Sequence, residues 1–367
     1  MIVATVVLWG AACASSPGNP IAASGSRGST GASPPPSSQA TSDAGYDAQL
    51  SVPTLSFASV GDTRPAKTCK STSACDYPSQ LIGRIFQQIQ GLSPPVPFVV
   101  STGDYQYNSP GDGTAGWQVL QQYLPAARQF RGPVYAAMGN HECNGYTDSN
   151  CLPGGPIPCD ADDGCGITEN LSAFLALLGS MGLAGRVPYY AVGVSIAGGL
   201  TAKLVFIAPN AWDATQASWL AGALAGRTTY TFVVQHESNE LDQTGASFPS
   251  SLAAIRSIVR QSGQAAAGAP YPVTLWIVGH THNFDYDPAN QQVINGLGGA
   301  PTDGIQSGED PSHFYRSSTG AYLLCRQQSS GDPPAIQCSL YDSKTNGILG
   351  GDTIFAVNAD GTPAPVE

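Results

Sequence analysis

The chain has 367 residues, 42% of them hydrophobic, and a formal net charge of −11 from 26 acidic and 15 basic residues. This length and hydrophobic content can supply a sizeable core, so disorder of the whole chain is disfavoured. Because Lys and Arg form no cluster, nucleic acid is disfavoured as the main partner, whereas small phosphate esters can bind where metal ions supply positive charge.

The N-terminus predicts an export signal. The apolar run from Ile2 to Ala12 is too short to span a bilayer and has the length of a signal-peptide core. The small residues before Cys13 resemble a bacterial lipoprotein signal, in which that cysteine is lipidated, although Gly10 stands where the pattern prefers Leu. Secretory cleavage after Ala14 is the alternative. We expect an exported protein that is secreted, or is held at a bacterial membrane through a lipid on Cys13 and faces the periplasm or the exterior.

A tether is predicted after the signal. Residues 14–50 consist mainly of Ser, Pro, Gly and Ala and contain almost no large apolar side chain. Such a segment cannot bury enough apolar surface to offset the entropy of folding. We therefore predict a signal peptide over 1–13, a disordered tether over 14–50 and a single folded domain over 51–367.

The cysteines indicate an oxidising compartment. The chain has nine, and an even number remains when Cys13 is set aside. We predict four disulfides between sequence neighbours, which are Cys69–Cys75, Cys143–Cys151, Cys159–Cys165 and Cys325–Cys338. The four cysteines between 143 and 165 permit three pairings, and a structural zinc site is a further alternative, although no spacing is of the C-x₂-C type.

Apolar runs and helical patterns alternate along the domain. Strands are predicted at 53–60, 97–102, 133–138, 188–196, 201–208, 229–235 and 272–278, followed by strand-rich sequence through 355. Helices are predicted at 79–91, 116–130, 168–181, 215–225 and 249–261. This order indicates an α/β fold with a largely central sheet that helices cover on both faces.

Polar side chains follow five of the predicted strands. The residues at these strand ends are Asp62, Asp104, Asn140, His236, His280 and His282. The chain has only five histidines, and four of them, including His141, lie at these ends. Open α/β sheets place ligands at the carboxyl ends of their strands, so we expect these residues to form one site.

Carboxylate, amide and imidazole groups are ligands for transition metals, and the strand ends carry too many of them for a single ion. Two ions that share a bridge fit better. Paired metals form a clamp for phosphoryl transfer, in which a bound water is activated as hydroxide and the charge on the ester oxygens is neutralised. Metal-assisted hydrolysis is the predicted chemistry.

The motifs resemble the calcineurin-like metallophosphoesterases. That family carries D-x-(H/G), GDxx(D/Y), GNH(E/D), a later His and GHxH in this order, and all five blocks occur here between Asp62 and His282. Within the superfamily the chain is most similar to the purple acid phosphatases, because the second block ends in Tyr107 and the fourth reads V-x-x-H from Val233 to His236.

The resemblance implies a four-layer α/β sandwich, in which two mixed β-sheets pack together and helices flank them. It covers most of residues 52–300 and includes QASWLAGAL from Gln216 and NGLGGAP from Asn295. The cysteine-rich loop at 143–166 follows the GNHE block directly, so we expect it to form part of the wall of the active site.

The resemblance also implies a dinuclear centre. It assigns Asp62, Tyr107 and His282 to a first metal, normally Fe(III), and Asn140, His236 and His280 to a second, divalent ion (Fe, Zn or Mn). Asp104 would bridge both metals. His141 would lie beside the substrate as a phosphate ligand or proton donor, and Asn140 is a further predicted substrate contact.

Arg64 departs from the pattern. The superfamily has a metal-binding His at this position and purple acid phosphatases have Gly. Arginine stays protonated and cannot ligate a metal. It could instead clamp the substrate phosphate bidentately, or form a structural ion pair with an acidic loop residue. The identity of the two metal ions is therefore open among manganese, zinc and iron.

The predicted activity is hydrolysis of small phosphoric monoesters by a metal-activated hydroxide. A phosphodiesterase or nucleotidase on the same fold is the enzymatic alternative. A surface-tethered protein that binds a phosphorylated ligand without turnover is the alternative from a different class.

Overall fold

The computed structural model describes residues 47–107, 111–144, 151, 168–183, 186–238, 251–303, 314–316, 320–349 and 354–367. The predicted signal peptide, most of the predicted tether and the predicted Cys159–Cys165 disulfide lie outside these residues. The first strand begins at Ala48, three residues before the predicted start of the folded domain. No helix in the described part is long and apolar enough to cross a membrane.

The described strands alternate with helices along the first three quarters of the chain and follow one another directly at its end. In chain order they are β1 (Ala48–Val52), β2 (Ser56–Val60), β3 (Val99–Ser101), β4 (Val134–Ala136), β5 (Tyr190–Ile196), β6 (Leu200–Phe206), β7 (Tyr230–Val234), β8 (Leu275–Val278), β9 (Phe284–Asp287), β10 (Gln292–Asn295), β11 (Phe314–Arg316), β12 (Ala321–Gly331), β13 (Pro334–Asp342), β14 (Gly347–Ile348), β15 (Ile354–Val357) and β16 (Pro363–Ala364).

These strands form two mixed sheets. Sheet A has the order β1-β5-β6-β7-β8-β10-β9-β11, and sheet B has the order β16-β15-β13-β12-β2-β3-β4, with β14 paired to β13. The strands β2, β3 and β4 are parallel, as are β6, β7, β8 and β10. Two mixed sheets with flanking helices confirm the predicted four-layer sandwich. The alternation pattern alone indicated a largely central sheet, and that prediction is wrong because the strands form two sheets.

The helices lie close to their predicted positions. They are α1 (Ser79–Gln90), a π-helical segment (Trp117–Tyr123), α2 (Leu124–Ala127), α3 (Glu169–Ser180), α4 (Ala214–Ala225) and α5 (Ser251–Gln261), with short 3₁₀ turns at Thr72–Ala74, Asn140–Glu142, Pro209–Ala211 and Pro288–Asn290. The predicted helix at 116–130 is thus a π-helical segment that continues into α2. Side chains cap the N-termini of α3 and α4, since Thr168 accepts from the Leu171 amide and Asp213 from the Gln216 amide.

Aromatic side chains join the two sheets. Phe57 on β2 packs edge-on against Phe232 on β7, with ring centroids 5.2 Å apart, and stacks on Phe98 before β3. All three rings are fully buried. Because β2 and β7 belong to different sheets, this contact holds the two sheets face to face.

Three disulfides connect sequence neighbours. Cys69–Cys75, Cys143–Cys151 and Cys325–Cys338 are bonded, which confirms the predicted pairings that lie within the described residues. The last of these joins facing positions on β12 and β13. Disulfides persist in oxidising environments, so they indicate an extracellular or periplasmic location.

Candidate metal centre

Loops from both sheets bring the predicted residues together. Asp62 and Asp104 follow β2 and β3 of sheet B, whereas His236 and His280 follow β7 and β8 of sheet A. Asn140 begins the 3₁₀ turn after β4. The side chains therefore meet where the carboxyl ends of the two sheets converge.

The backbone of these loops is strained in a recurring way. Asp62, Asp104 and His280 have φ values of 56°, 59° and 74°, in the left-handed region, and each follows a glycine. Non-glycine residues adopt such values at a cost, and they concentrate at functional sites. Gly103 allows the loops to approach, because a Cβ on it would lie 2.8 Å from His236 Nδ1.

Asp62, Asp104 and His236 form the most compact group of potential ligands among the described residues. One ligand atom from each lies within 4.8 Å of the other two. His236 Nε2 is 3.3 Å from Asp104 Oδ1 and 3.9 Å from Asp62 Oδ1. All three residues are at most 1% exposed. A buried group of two carboxylates and an imidazole could hold a metal ion.

The tautomer of His236 supports this fit. Its Nδ1 lies 2.8 Å from the carbonyl oxygen of Thr102, so Nδ1 carries the proton and donates it. The Nε2 atom is buried and has no hydrogen-bond partner. It faces the carboxylate oxygen of Asp104 at 3.3 Å. Burial acts to lower the pKa of His236, but Asp104 and Asp62 outweigh it and hold the pKa well above its ordinary value, so this position favours a cation, either a proton or a metal ion.

Asn140 and His280 complete this side of the centre. Asn140 Oδ1 is 3.3 Å from His280 Nδ1, and the His280 amide lies 3.1 Å from Asp62 Oδ2. The rings of His236 and His280 are edge to face, with centroids 5.2 Å apart. We refer to Asp62, Asp104, Asn140, His236 and His280 as the His236 half of the centre.

The remaining side chains surround Arg64 instead. Its Nε is 3.3 Å from Asp104 Oδ2, and its Nη2 is 3.2 Å from His282 Nε2. The guanidinium carbon lies 4.4 Å from the centre of the Tyr107 ring. His282 also contacts Asp303, which accepts from the His282 amide at 2.8 Å. We refer to Arg64, Tyr107, His282 and Asp303 as the His282 half of the centre.

His141 lies between the two halves. Its amide lies 3.2 Å from Asp104 Oδ1, its Nε2 is 3.8 Å from Asp104 Oδ2, and its ring packs edge-on against Tyr107 with centroids 4.4 Å apart. Asn170 on α3 donates to the His141 carbonyl oxygen at 3.1 Å and holds the turn. Burial lowers the pKa of His141 to about 3, so its imidazole is neutral.

The two carboxylates have opposite pKa shifts. Burial raises the pKa of Asp62. Burial also acts to raise that of Asp104, but His236 and the Arg64 guanidinium outweigh it and hold the pKa of Asp104 well below its ordinary value. Asp104 is therefore the carboxylate with the most positive surroundings.

The sequence interpretation missed two positioning residues, Glu142 and Asp303. Glu142 accepts from the amides of Asp104, Tyr105 and Gly139 at 2.8, 2.8 and 2.9 Å, so it fixes the loop that presents Asp104. Its place in the GNHE block was the available signal. Asp303 had no sequence signal, because no motif links it to His282.

The NGLGGAP segment has a structural role. The Gly298 amide donates to the carbonyl oxygen of Gly61 at 2.7 Å, and the Ala300 amide donates to that of Asp62 at 2.8 Å. A Cβ on Gly298 would collide with the Gly61 backbone. The segment therefore supports the loop that presents Asp62.

The disulfide after the GNHE block borders the centre. Cys143 follows the Asn140–Glu142 turn, and the Cys151 amide donates to the Asn210 carbonyl oxygen at 2.8 Å. Most of the predicted wall at 143–166 lies outside the described residues.

Comparison with known proteins agrees with this geometry. The family model described as calcineurin-like phosphoesterase matches residues 55–284. No curated protein sequence matches the chain.

The solved structures that share the fold include the following two, both at low sequence identity. The purple acid phosphatase PPD1 from yellow lupin (Lupinus luteus) superposes with a TM-score of 0.56 and 13% identity, over 83% of this chain and 54% of the lupin chain. GAP50 of Plasmodium, described as the anchor in the inner membrane complex, superposes with a TM-score of 0.53 and 16% identity, over 83% of this chain and 89% of that chain. This chain thus spans about half the length of the lupin protein.

The family match covers more than half of the chain and includes every predicted metal-ligand position. It confirms the superfamily that the motifs indicated, and the two sheets confirm its fold. The chain therefore belongs to the calcineurin-like phosphoesterase family.

Proposed function

We propose that this protein hydrolyses small phosphoric monoesters at the centre described above, with a divalent metal ion bound by the His236 half. The observation that supports this most directly is the buried Nε2 of His236, which faces Asp104 Oδ1 at 3.3 Å without a hydrogen-bond partner. Carboxylate, amide and imidazole ligands suit zinc, manganese and iron. When bound, such an ion supplies Lewis-acid polarisation of the phosphoryl group and activation of the attacking water.

We assign roles to the chain's own residues as follows. Asp62, Asp104 and His236 hold the ion, and Asn140 and His280 complete its ligands. His141 is 6% exposed and its Nδ1 has no hydrogen-bond partner, which suits contact with a phosphoryl or leaving-group oxygen of the ester.

The predicted ferric ion would need a different set of ligands. The sequence placed it on Asp62, Tyr107 and His282, with Asp104 as the bridge. In the structure, Arg64 lies among Asp104, Tyr107 and His282. We therefore restrict the proposed metal to the His236 half.

Hydrolysis of p-nitrophenyl phosphate tests the proposal. Chelator-treated protein reloaded with zinc, manganese or iron should release p-nitrophenol, and the chelated protein should not. The exposed residue Asp360 provides a matched control, since Asp360→Asn should retain activity that Asp104→Asn loses. Faster hydrolysis of bis(p-nitrophenyl) phosphate would favour the phosphodiesterase alternative.

A binding protein without turnover is the second candidate. The Plasmodium neighbour with this fold is described as an anchor, so the fold alone does not distinguish the two classes. All five motif blocks are present, with Arg64 as the one departure, and this favours the enzyme. Metal-loaded protein that hydrolyses neither mono- nor diesters from acid to alkaline pH would contradict the proposed activity.

We further propose that the protein is exported and carries a lipid on Cys13. The disulfides support an oxidising compartment. The wild type should then partition with membranes, and Cys13→Ser should give a soluble or uncleaved form. Unchanged membrane association of Cys13→Ser would contradict lipidation.

A further inference from the structure

The Arg64 guanidinium lies where a first metal ion would need its ligands. Its side chain is 12% exposed. It forms an ion pair with Asp104 at 3.3 Å, contacts His282 Nε2 at 3.2 Å and lies over the Tyr107 ring at 4.4 Å. These three partners are the residues that the family resemblance assigns to the first metal together with Asp62.

The Nε2 lone pair of His282 already accepts a hydrogen bond from Arg64. His282 Nδ1 lies 3.3 Å from Asp303 Oδ1, and a carboxylate at this distance favours a proton on Nδ1. The neutral imidazole then has a single lone pair, on Nε2, and Arg64 Nη2 faces it. Because arginine has only donors, Nε2 accepts this hydrogen bond and is not available to a metal.

Tyr107 presents its ring to the cation. A guanidinium over a tyrosine face is attracted by the negative potential of the ring. The edge contact with His141 holds the ring in place. The aromatic face of Tyr107 therefore stabilises Arg64.

The His236 half shows the opposite arrangement. His236 Nε2 faces Asp104 Oδ1 at 3.3 Å and has no donor opposite it. The Asp104 carboxylate thus has the permanent cation of Arg64 beside Oδ2, and beside Oδ1 it has the His236 Nε2 atom, which has no hydrogen-bond partner.

We infer that the centre binds one metal ion, in the His236 half, and that the Arg64 guanidinium replaces the first metal of the dinuclear centre. This inference rests on the proposed function for the presence of a metal ion. A second multivalent cation in the His282 half would lie against the guanidinium and would compete with it for Asp104 and His282. The two positive charges would repel each other in a buried site.

A guanidinium in this position can perform part of the metal's task. It balances the charge of Asp104. Its Nη1 also donates to the Pro65 carbonyl oxygen at 3.2 Å, and the N–H groups that are left can bind oxygens of a substrate phosphate. Unlike a metal ion, it is not removed by chelators and does not change oxidation state.

Metal stoichiometry tests the inference. Chelator-treated protein is titrated with Mn²⁺ by calorimetry, and the bound metal is counted by elemental analysis after desalting. We expect one ion per chain for the wild type, and two for Arg64→Gly, which introduces the residue of purple acid phosphatases and frees Asp104 and His282. Arg84→Ala removes an exposed arginine on α1 and should leave one ion.

Electron paramagnetic resonance of the Mn²⁺-loaded wild type gives an independent result that does not depend on the folding of a variant. We expect the six-line spectrum of an isolated ion. An exchange-coupled pair, two ions per wild-type chain, or one ion in a folded Arg64→Gly variant would each overturn the inference while leaving the proposed activity intact. A wild type that binds no metal would contradict the proposed function as well.

Discussion

His236 and His282 both lie near the same carboxylate oxygen, yet their surroundings differ. Their Nε2 atoms are 3.9 and 3.6 Å from Asp62 Oδ1. His236 directs Nδ1 to the Thr102 carbonyl and leaves Nε2 without a partner, whereas His282 has Asp303 at Nδ1 and Arg64 at Nε2. Two histidines from one ligand pattern thus differ because one faces a guanidinium.

Replacing Asp104, whose carboxylate contacts residues of both halves, should cause the largest loss of activity and of bound metal. Asp104→Asn keeps the shape and tolerates the left-handed backbone at φ 59°. It removes the charge that pairs with Arg64 and the metal. We expect kcat/KM for p-nitrophenyl phosphate to fall by about 1,000-fold or more, on the order of 4 kcal/mol, with little bound metal. Activity within about tenfold of wild type would contradict the shared role.

Truncating each histidine in turn tests the difference between the halves. His236→Ala removes the free Nε2 and should weaken Mn²⁺ binding by about 100-fold or more. His282→Ala removes an acceptor of Arg64 and should change Mn²⁺ affinity by less than about threefold. Calorimetric titration of both variants measures the contrast. Equal losses would show that both imidazoles ligate metal.

A substitution outside both halves provides a stability control. Lys203 on β6 is 2% exposed, and its ammonium donates to the carbonyl oxygens of Ala223, Leu224 and Gly226 at the end of α4. Lys203→Met loses these bonds and should lower the free energy of unfolding by about 1–3 kcal/mol, with unchanged metal content. Loss of metal in this variant would show that the centre responds to general destabilisation.

The same residue predicts a pH dependence. Burial lowers the pKa of Lys203 to about 8, whereas the unfolded chain keeps its proton up to the ordinary value of 10.5. The unfolded state therefore binds more protons between these values, and stability rises with pH there. Between pH 8 and 10.5, the free energy of unfolding should rise more for the wild type than for Lys203→Met, as denaturant titrations can measure.

Removing the phenol oxygen of Tyr107 should have the smallest effect on metal content and activity. Tyr107→Phe keeps the ring under Arg64, so metal content should be unchanged and activity should stay within about threefold. The iron-loaded, oxidised wild type should be colourless, since no phenolate binds iron. A violet wild type that loses its colour in Tyr107→Phe would instead support the ferric ligand that the family resemblance implies.

Much of the centre could be predicted from the sequence. Asp62, Asp104 and His280 each follow a glycine that ends a strand, and such Gly-polar pairs mark loops at the carboxyl edge of a sheet. The division of the strands into two sheets was harder to predict. The pattern of strands and helices does not specify which strands pair, so the second sheet followed from the motif resemblance alone.

The position of the Arg64 guanidinium could not be predicted. The sequence left a phosphate clamp and an ion pair with an acidic loop residue as alternatives, and the structure pairs Arg64 with Asp104, which lies in the loop after β3 and is also a predicted metal ligand. Its side chain is long, and its conformation depends on His282, Tyr107 and, through His282, on Asp303. These residues are brought together only by the tertiary fold.

Anomalous diffraction from crystals of the manganese- or zinc-loaded protein would test the one-metal centre most directly. We expect a single strong anomalous peak beside His236 Nε2, between Asp62 and Asp104, with the Arg64 guanidinium still against His282. A second peak of comparable height among Asp104, Tyr107 and His282, with Arg64 displaced, would contradict this account.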